Sequence, residues 1–524
     1  MSDDRAAAIE FELDGRAVSA TDGCSLLEAM RDHVGVRGPK DGCSPQGQCG
    51  CCTVLVDGSA RVACVTPVAR VRGRSVTTID GIEDAGRWAA AFTATGASQC
   101  GFCTPGIIAR LSTLTDADLA EPTKVDRALL AHLCRCTGWQ TIHEACDLVV
   151  TGQAPAPVAD TALAEQRAEL EGGTPQLVGP EVALGRGGFA DDTAPLDALV
   201  AVRGPDGSWA VGESLTQARV AAGKVQGRRT TAAPSWPVEL PDGDWHLTLQ
   251  TTWVEPAYLE PDAAWCEPGG EPASSLGNGG AFGGKTDTDA GAIARRLADE
   301  HGRPVRVLWS REDVVRFGPK RPPLAVGLRA DGTGVARVAR PAARSEQSPD
   351  AESLGLPEAV SIEWVDVAGP PVSLDLRGAV WAEVAAAHAV LASDDGSPVV
   401  VRGRSGGEAR ATIDVDDSGA ETVRVEVAAG APLDATVLRS YCIGAAHMAL
   451  GMVRSESLSV DADGEAHDLT IRSFGVLRAV ETPTIEVVIE PSDDGPVMAS
   501  DAVFAAVLSA AWRHAGLVGR WPVG

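Results

Sequence analysis

The sequence lacks the features of a secreted or membrane-spanning chain. Residues 1–24 contain neither the basic segment nor the apolar segment that together form a signal peptide. No apolar run approaches the roughly 18 residues that a membrane-spanning helix needs. We therefore expect a cytoplasmic protein without a membrane span. In that reducing compartment, clustered cysteines serve more often as metal ligands or catalysts than as disulfides.

Basic residues are scarce. The chain has 45 Lys and Arg against 72 Asp and Glu, a formal net charge of −27. Nucleic acids and anionic membranes are bound through a basic footprint, so this charge argues against both. Protein partners and a small-molecule substrate are the expected alternatives. The 524 residues are enough for two to four domains, each with its own core.

Cysteine is nearly absent from the last three quarters of the chain. Of the 13 cysteines, ten lie between Cys24 and Cys136 and Cys146 follows closely, whereas only Cys266 and Cys442 lie further on. The chemistry of sulfur is therefore expected in roughly the first 150 residues.

The first cysteine group lies in GCSPQGQCGCCTVLVDG, residues 42–58. The preceding residues predict a hairpin over 9–19 and a helix over 25–35, and TVLV, Asp57-Gly58 and RVACV predict a second hairpin. Together they indicate a small mixed sheet that grips one helix. The loop supplies Cys43, Cys49 and Cys52, and Cys64 is expected in the returning strand. Four thiolates suit a [2Fe-2S] cluster, and structural zinc is the alternative.

The second group is formed by SQCGFCTPGIIARL and VDRALLAHLCRCTGW. Cys100 and Cys103 precede a helix for which Thr104 is the predicted N-cap, and Pro105 would be its first residue. Cys134 and Cys136 are expected at the end of a helix over 125–139. Two ligands at the start of one helix and two at the end of another converge if the helices pack antiparallel, which predicts a second [2Fe-2S] cluster.

The segments QCGFCTPG and LCRCTGW, together with TVLVDG in the first group, resemble those of the molybdenum hydroxylases. This is the family of xanthine dehydrogenase and aerobic carbon monoxide dehydrogenase. The resemblance implies a multidomain α+β protein in which a [2Fe-2S] small subunit is fused to a shortened molybdopterin-binding region. It would comprise a β-grasp plant-type ferredoxin domain (1–80), a four-helix-type [2Fe-2S] domain (81–152), a linker (153–180) and the shortened α+β molybdopterin-binding region (181–524).

The same resemblance implies the ligands and neighbours of the cofactors. The expected metal ligands are Cys43, Cys49, Cys52, Cys64, Cys100, Cys103, Cys134 and Cys136. Gln99 and Cys136 would lie beside the pterin of a molybdenum cofactor. The family usually leaves four residues between its first two ligands, whereas this sequence has five, and Cys51 is interpreted as an unligated neighbour. Cys24 and Cys146 are expected to be buried small hydrophobic residues.

A glycine-rich stretch, GNGGAFGGKT at residues 277–286, has two interpretations. As a pattern it fits a phosphate-binding P-loop, but no apolar strand precedes it and the next helix begins late. The family instead has GGxFGGK here, a loop whose backbone amides approach the molybdenum cofactor. On that reading the cofactor-binding residues are Gly279, Gly280, Ala281, Phe282, Gly283 and Gly284. A plain glycine-rich turn is the third possibility.

The sequence departs from the family where a catalytic glutamate is normal. After IEVVIE the chain reads DGPVMASDAVFAAVLSAAW, in which Ser500 resembles a helix N-cap and Asp501 a first-turn carboxylate. Met448 falls near the place where the family often has a glutamine. His447 is a candidate base, although a histidine in an apolar helix is more often a packed core residue. No catalytic residue is therefore assigned.

Three functions follow from this comparison. The preferred one is an electron-transfer subunit of a heteromeric molybdenum hydroxylase, which passes electrons through two [2Fe-2S] clusters toward a flavin subunit. A longer partner chain would supply or share the molybdopterin, and FAD is expected only on a partner. The others are a self-contained hydroxylase with an unusual base and a redox-sensing or scaffold protein without catalysis.

Overall fold

The computed structural model describes residues 8–153, 160–223, 227, 230–274, 285, 288–341, 349–393 and 397–523. These residues form four β-sheets with helices packed between and around them. Within these described ranges, no helix has the length and apolar content needed to cross a membrane.

The first sheet is mixed and holds one helix, as the β-grasp prediction requires. Its order is β2-β1-β5-β3-β4, with β5 parallel to β1 and antiparallel to β3. The α-helix predicted over 25–35 has only three residues. It continues into a π-helical turn, which ends at Gly35 in the left-handed region. The elements are β1 Ala8–Leu13, β2 Arg16–Thr21, α1 Leu26–Glu28, the π-turn Ala29–Val34, β3 Thr53–Val56, β4 Ser59–Val62 and β5 Ser75–Thr77.

Cys64 does not lie in the returning strand. Strand β4 ends at Val62, and Cys64 lies in a 3-10 turn over Ala63–Val65. This turn brings the backbone N–H of Cys64 to within 3.4 Å of Cys52 Sγ, which accepts its hydrogen bond. The strand prediction was wrong, because the apolar residues of RVACV are equally compatible with a turn that packs on the core.

The second region is helical. Its helices are α2 Ala85–Thr95, α3 Thr104–Leu111, α4 Asp116–Leu119, α5 Pro122–Ala128 and α6 Gln140–Thr151. The helix predicted over 125–139 ends early, because a 3-10 turn over Leu129–Ala131 follows α5 and His132 is extended. Cys134 and Cys136 therefore lie in a loop. Cys103, not Thr104, is the N-cap residue of α3.

The segment expected to be a linker carries a packed helix, α7 Thr161–Gly172. Asp160 caps it, and Arg167 and Glu171 are 0% and 3% exposed. Arg167 donates to Glu171 at 3.0 Å and to the carbonyl oxygens of Ala431, Pro432 and Val497. The helix shows little apolar periodicity because its buried face is held by this ion pair and by alanines.

Three further sheets make up the rest. Their orders are β10-β9-β11-β6-β7, β14-β13-β12-β8-β19 and β15-β16-β17-β18. The strands are β6 Leu199–Arg203, β7 Trp209–Gly212, β8 Leu247–Thr251, β9 Ala263–Cys266, β10 Ala273–Ser274, β11 Val305–Leu308, β12 Leu324–Leu328, β13 Gly334–Pro341, β14 Val360–Val367, β15 Val401–Arg402, β16 Glu408–Val415, β17 Glu421–Ala428, β18 Thr484–Ile489 and β19 Arg520–Trp521. The helices are α8 Pro180–Ala183, α9 Ala190–Thr193, α10 Leu215–Ala221, α11 Ala290–His301, α12 Arg311–Phe317, α13 Trp381–Leu391, α14 Ala435–Arg454 and α15 Ser500–His514.

One hydrophobic core crosses from the cysteine-rich region into the rest of the chain. Trp139 and Ile107 share it with Trp253, Leu458 and Phe474. A second core surrounds α13, α14 and α15, and α15 packs on both of the other helices. Helix α14 lies against the cysteine-rich region, since a Cβ on Gly444 would come within 2.0 Å of the carbonyl oxygen of Cys136.

Candidate functional site: two four-cysteine sets

The first cysteine set lies in a closely wrapped loop. Cys43, Cys49, Cys52 and Cys64 are each at most 4% exposed. The thiol of Cys43 is hydrogen bonded to those of Cys49 and Cys64, which holds the pKa of Cys43 well below its usual range. Cys64 is also hydrogen bonded to Cys52. The backbone N–H of Gln46 donates to Cys43 Sγ at 3.1 Å, as expected of a loop that turns its amides toward sulfur.

The second set joins the start of α3 to the loop after α5. The Sγ atoms of Cys100 and Cys136 are 3.6 Å apart. The thiols of Cys103 and Cys134 form a second pair, and the hydrogen bond from Cys103 lowers the pKa of Cys134 to about 6. Thr137 Oγ1 lies 3.0 Å from Cys134 Sγ. The structure thus brings together all four cysteines that the spacing suggested.

The second set consists of two pairs, Cys100 with Cys136 and Cys103 with Cys134. In the first set the thiols form a continuous series of contacts, from Cys49 through Cys43 and Cys64 to Cys52. In the part of the chain that the structure describes, no group of three or more His, Cys, Asp or Glu residues has the geometry to hold a single metal ion. A [2Fe-2S] cluster takes two thiolates on each iron, whereas structural zinc takes four donors on one ion. Two sets of four buried thiols therefore supply the number of ligands that two [2Fe-2S] clusters need.

Cys51 lies on the side of the first set that faces the second. Its thiol is fully buried and is hydrogen bonded to Cys49, and burial raises its pKa. The electrostatic neighbours of Cys51 include Cys43 and Cys52 from one set and Cys100 from the other. Cys24 and Cys146 lie apart from both sets, and burial raises the pKa of each thiol to about 12.

Gln99 is the residue that the family resemblance predicts beside a pterin. Its Nε2 donates to the carbonyl oxygen of Cys136 and to Ser440 Oγ, both at 2.8 Å. Its Oε1 is buried and accepts no hydrogen bond from the described residues. A cavity of about 490 Å³ adjoins Gln99 and Cys100. An unsatisfied acceptor beside a cavity fits a ligand that carries hydrogen-bond donors, as a pterin does.

The loop residues Gly279, Gly280, Ala281, Phe282, Gly283 and Gly284 lie outside the described residues. Lys285 is described, and its Nζ donates to Glu260 Oε2 at 2.5 Å and lies 3.9 Å from Asp262 Oδ1. The lysine of a P-loop contacts nucleotide phosphates, whereas this one is 3% exposed and neutralised by carboxylates. A P-loop follows a buried parallel strand. Strand β10, which precedes this loop, has only two residues and lies at the edge of its sheet, which also disfavours the P-loop.

Helix α15 begins in the segment where the family resemblance predicts a glutamate. Ala499, not Ser500, is its N-cap residue, and Asp501 lies in the first turn as expected. The side chain of Glu171 accepts hydrogen bonds from the backbone N–H of Ser500 at 2.9 Å and of Ala499 at 3.3 Å. Sequence reasoning missed Glu171, and its only signal was an arginine four residues earlier.

His447 is a core residue. It is 0% exposed, and since a carbonyl oxygen only accepts, its Nε2–H donates to Leu477 O at 3.1 Å. Burial lowers its pKa to about 3. The adjacent Met448 is 8% exposed.

Acid should weaken the fold through His447. Below a pH of about 6.5 the unfolded chain binds a proton that the folded residue excludes, so its stabilising contribution is present above this pH and falls as pH falls. Between about pH 7.5 and 5.5 we expect the free energy of unfolding of the wild type to fall by about 1 kcal/mol more than that of His447→Gln. Urea titrations at both pH values measure this, and equal losses in both proteins would contradict it.

Comparisons with known proteins agree with this site. A family described as a [2Fe-2S] binding domain matches residues 78–147. The xanthine dehydrogenase iron-sulfur-binding subunit of Escherichia coli O157:H7 is 41% identical over 133 residues, 24% of this chain and 80% of that protein. The nicotine 6-hydroxylase small subunit of Paenarthrobacter nicotinovorans is 41% identical over 145 residues, 26% of this chain and 86% of that protein.

The whole chain also has a known fold. The structure of aldehyde oxidoreductase from Desulfovibrio gigas aligns with a TM-score of 0.66 at 14% identity, over 98% of this chain and 99% of that one. Fold and site together define a multidomain α+β iron–sulfur protein. The similarity to the small subunits identifies it further: the chain belongs to the molybdenum hydroxylase family of oxidoreductases.

Proposed function

We propose that the chain is an electron-transfer subunit of a heteromeric molybdenum hydroxylase and carries two [2Fe-2S] clusters. The observation that carries this proposal is the arrangement of eight buried cysteines in two sets of four, in each of which every thiol contacts another thiol of the same set. Each set would hold one cluster. The clusters supply one-electron carriage, and the protein supplies thiolates, backbone N–H donors and the exclusion of water.

The region around α15 supports a role in which hydroxylation occurs on a partner. A general base needs a carboxylate that can reach the substrate and accept a proton. The carboxylate at the start of α15 is that of Glu171, which already accepts from Arg167, Ala499 and Ser500. Asp501 is 5% exposed and lies 3.6 Å from Arg404. Glu171 is thus held in a buried ionic contact, and Asp501 in a longer contact with a half-buried arginine.

Gln99 is the residue of this chain best placed to contact a pterin. Its unsatisfied Oε1 beside the cavity at Cys100 would accept from the pterin amino group. The cofactor could then be shared with a longer molybdenum subunit, while a flavin subunit would carry FAD and receive electrons. The relatives named as small or iron-sulfur subunits support partners of this kind.

Composition and turnover of the purified chain test the proposal. We expect about four iron and four acid-labile sulfides per chain, and electron transfer between artificial donors and acceptors. Hydroxylation of aldehydes or heteroaromatics by the chain alone is not expected. An iron content near two per chain, or stoichiometric zinc, would contradict the assignment of one of the two clusters.

Hydroxylation by the isolated chain that is lost in Asp501→Ala would establish the self-contained enzyme instead. Four iron without electron transfer to any acceptor or partner would favour the sensor or scaffold.

A further inference from the structure

The two cysteine sets meet at a joint that contains no cluster ligand side chain. A Cβ on Gly106 of α3 would lie 2.3 Å from the carbonyl oxygen of Gly50 and 2.9 Å from that of Cys51. Only a glycine lets the helix that begins beside Cys103 approach the loop of the first set this closely. Gly50, with φ of +75°, is covered on another side by His132, whose Cδ2 would lie 2.4 Å from a Cβ there.

His132 links the three segments of this joint. Its Nε2 lies 3.2 Å from the carbonyl oxygen of Gly106 and 3.1 Å from Thr53 Oγ1. A carbonyl oxygen only accepts, so Nε2 carries the proton. Thr53 Oγ1 in turn donates to the carbonyl oxygen of Gly50 at 2.8 Å. The ring is buried, with 2% of its surface exposed.

The backbone beside His132 completes the connection. The N–H of Leu133 donates to the carbonyl oxygen of Cys49 at 3.0 Å. Leu133 directly precedes Cys134, so one hydrogen bond joins a ligand residue of the first set to the neighbour of a ligand in the second. A displacement of His132 would therefore move the Cys134–Cys136 loop relative to Cys49.

We infer that His132 is a positioning residue that sets the separation of the two iron–sulfur clusters. It does so by holding the Gly50–Cys51 backbone, the first turn of α3 and the loop of Cys134 and Cys136 in one rigid joint. The inference rests on the proposed function, because it requires both sets to hold clusters. A separation fixed by packed side chains is maintained far better than one set by a flexible connection.

Electron paramagnetic resonance of the fully reduced protein tests this inference without measuring turnover. Two reduced clusters split each other's signals through a magnetic interaction that falls steeply with their separation. We expect His132→Ala to retain both signals and to lose part of this splitting. His132→Gln should restore it, because its amide nitrogen can reach Gly106 O.

Gly106→Ala should shift the splitting in the same way, since the added methyl group would lie 2.3 Å from the carbonyl oxygen of Gly50 and must push the helix and the loop apart. Gly86→Ala is the matched control, because nothing lies within 4 Å of a Cβ at that position of α2. His143→Ala is the control for His132, since His143 pairs with Asp126 outside the joint. Both controls should show the wild-type splitting.

Thr53→Val provides a milder test if His132→Ala loses a cluster. It keeps the ring and removes only the hydroxyl that joins His132 to Gly50, and it should still alter the splitting. Wild-type splitting in Thr53→Val and Gly106→Ala, with both signals present, would overturn the inference and leave the proposed function intact. A wild-type protein with fewer than two signals would instead overturn the proposed function.

Discussion

Cys134→Ser should remove one of the two paramagnetic signals and lower the iron content from about four to about two per chain. Serine is a far weaker iron ligand than a thiolate, and Cys134 is paired with Cys103 in the centre of the second set. The first set should be unaffected, because its ligands come from a different loop and sheet. Metal analysis and electron paramagnetic resonance measure both results. Cys43→Ser should produce the complementary loss.

Cys51→Ser is the matched control, since it makes the same substitution at a fully buried cysteine next to the ligands. We expect both signals to remain. The thiol contacts run from Cys49 through Cys43 and Cys64 to Cys52, and Cys51 is hydrogen bonded to this series at its Cys49 end. If Cys51→Ser eliminated the first signal and Cys49→Ser spared it, the ligand assignment would be wrong.

The sequence predicted the part of the site that local patterns encode. Hairpin turns at Asp14-Gly15 and Asp57-Gly58, the Pro105 helix start and the cysteine spacings are determined within a few residues of each other. The structure accordingly has β1 to β4 and α3 close to their expected positions. The resemblance to the molybdenum hydroxylases, drawn from QCGFCTPG and LCRCTGW, is confirmed by the comparisons.

What the sequence did not predict depends on partners that lie far away along the chain. Helix α7 is held by Arg167, whose acceptors are more than 250 residues distant in sequence apart from Glu171. The loop of Cys134 and Cys136 leaves the helical path because Leu133 bonds to Cys49. Neither contact leaves a periodic signal, since each depends on one polar group meeting another after the chain has folded.

Buried ionic contacts also attach the cysteine-rich region to the remainder. Arg31 donates to Asp191 at 2.7 Å and to Asp192 at 2.9 Å, and Lys40 pairs with Asp192. Arg306 makes two hydrogen bonds to Asp32, at 2.8 and 2.9 Å. The cysteine-rich region is therefore joined to the remainder through a packed interface, and not through the expected linker alone. Substitutions far from the cysteines can therefore affect the clusters.

Glu456→Ala should strongly destabilise the second cysteine set. Arg135 lies between Cys134 and Cys136, and its guanidinium donates to both oxygens of Glu456, at 2.5 and 2.7 Å. The two side chains are 3% and 1% exposed. Removing the carboxylate leaves a buried, unpaired charge, which typically costs about 3–5 kcal/mol. We expect a large fall in the midpoint of thermal unfolding and loss of the signal of the second cluster before that of the first.

The order of loss distinguishes this effect from general instability. Arg135 is covalently part of the second ligand loop, whereas the first set lies in a loop with its own sheet. On heating, the signal of the second cluster should therefore disappear at a lower temperature than that of the first.

The double variant Arg135→Met with Glu456→Leu removes both charges and should recover much of the stability, because the cost comes from the unpaired charge rather than from the lost pair. Glu408→Ala removes the carboxylate of an exposed pair with Arg402 and should leave the midpoint almost unchanged. Equal destabilisation by Glu456→Ala and Glu408→Ala would show that the Arg135 contact does not support the ligand loop.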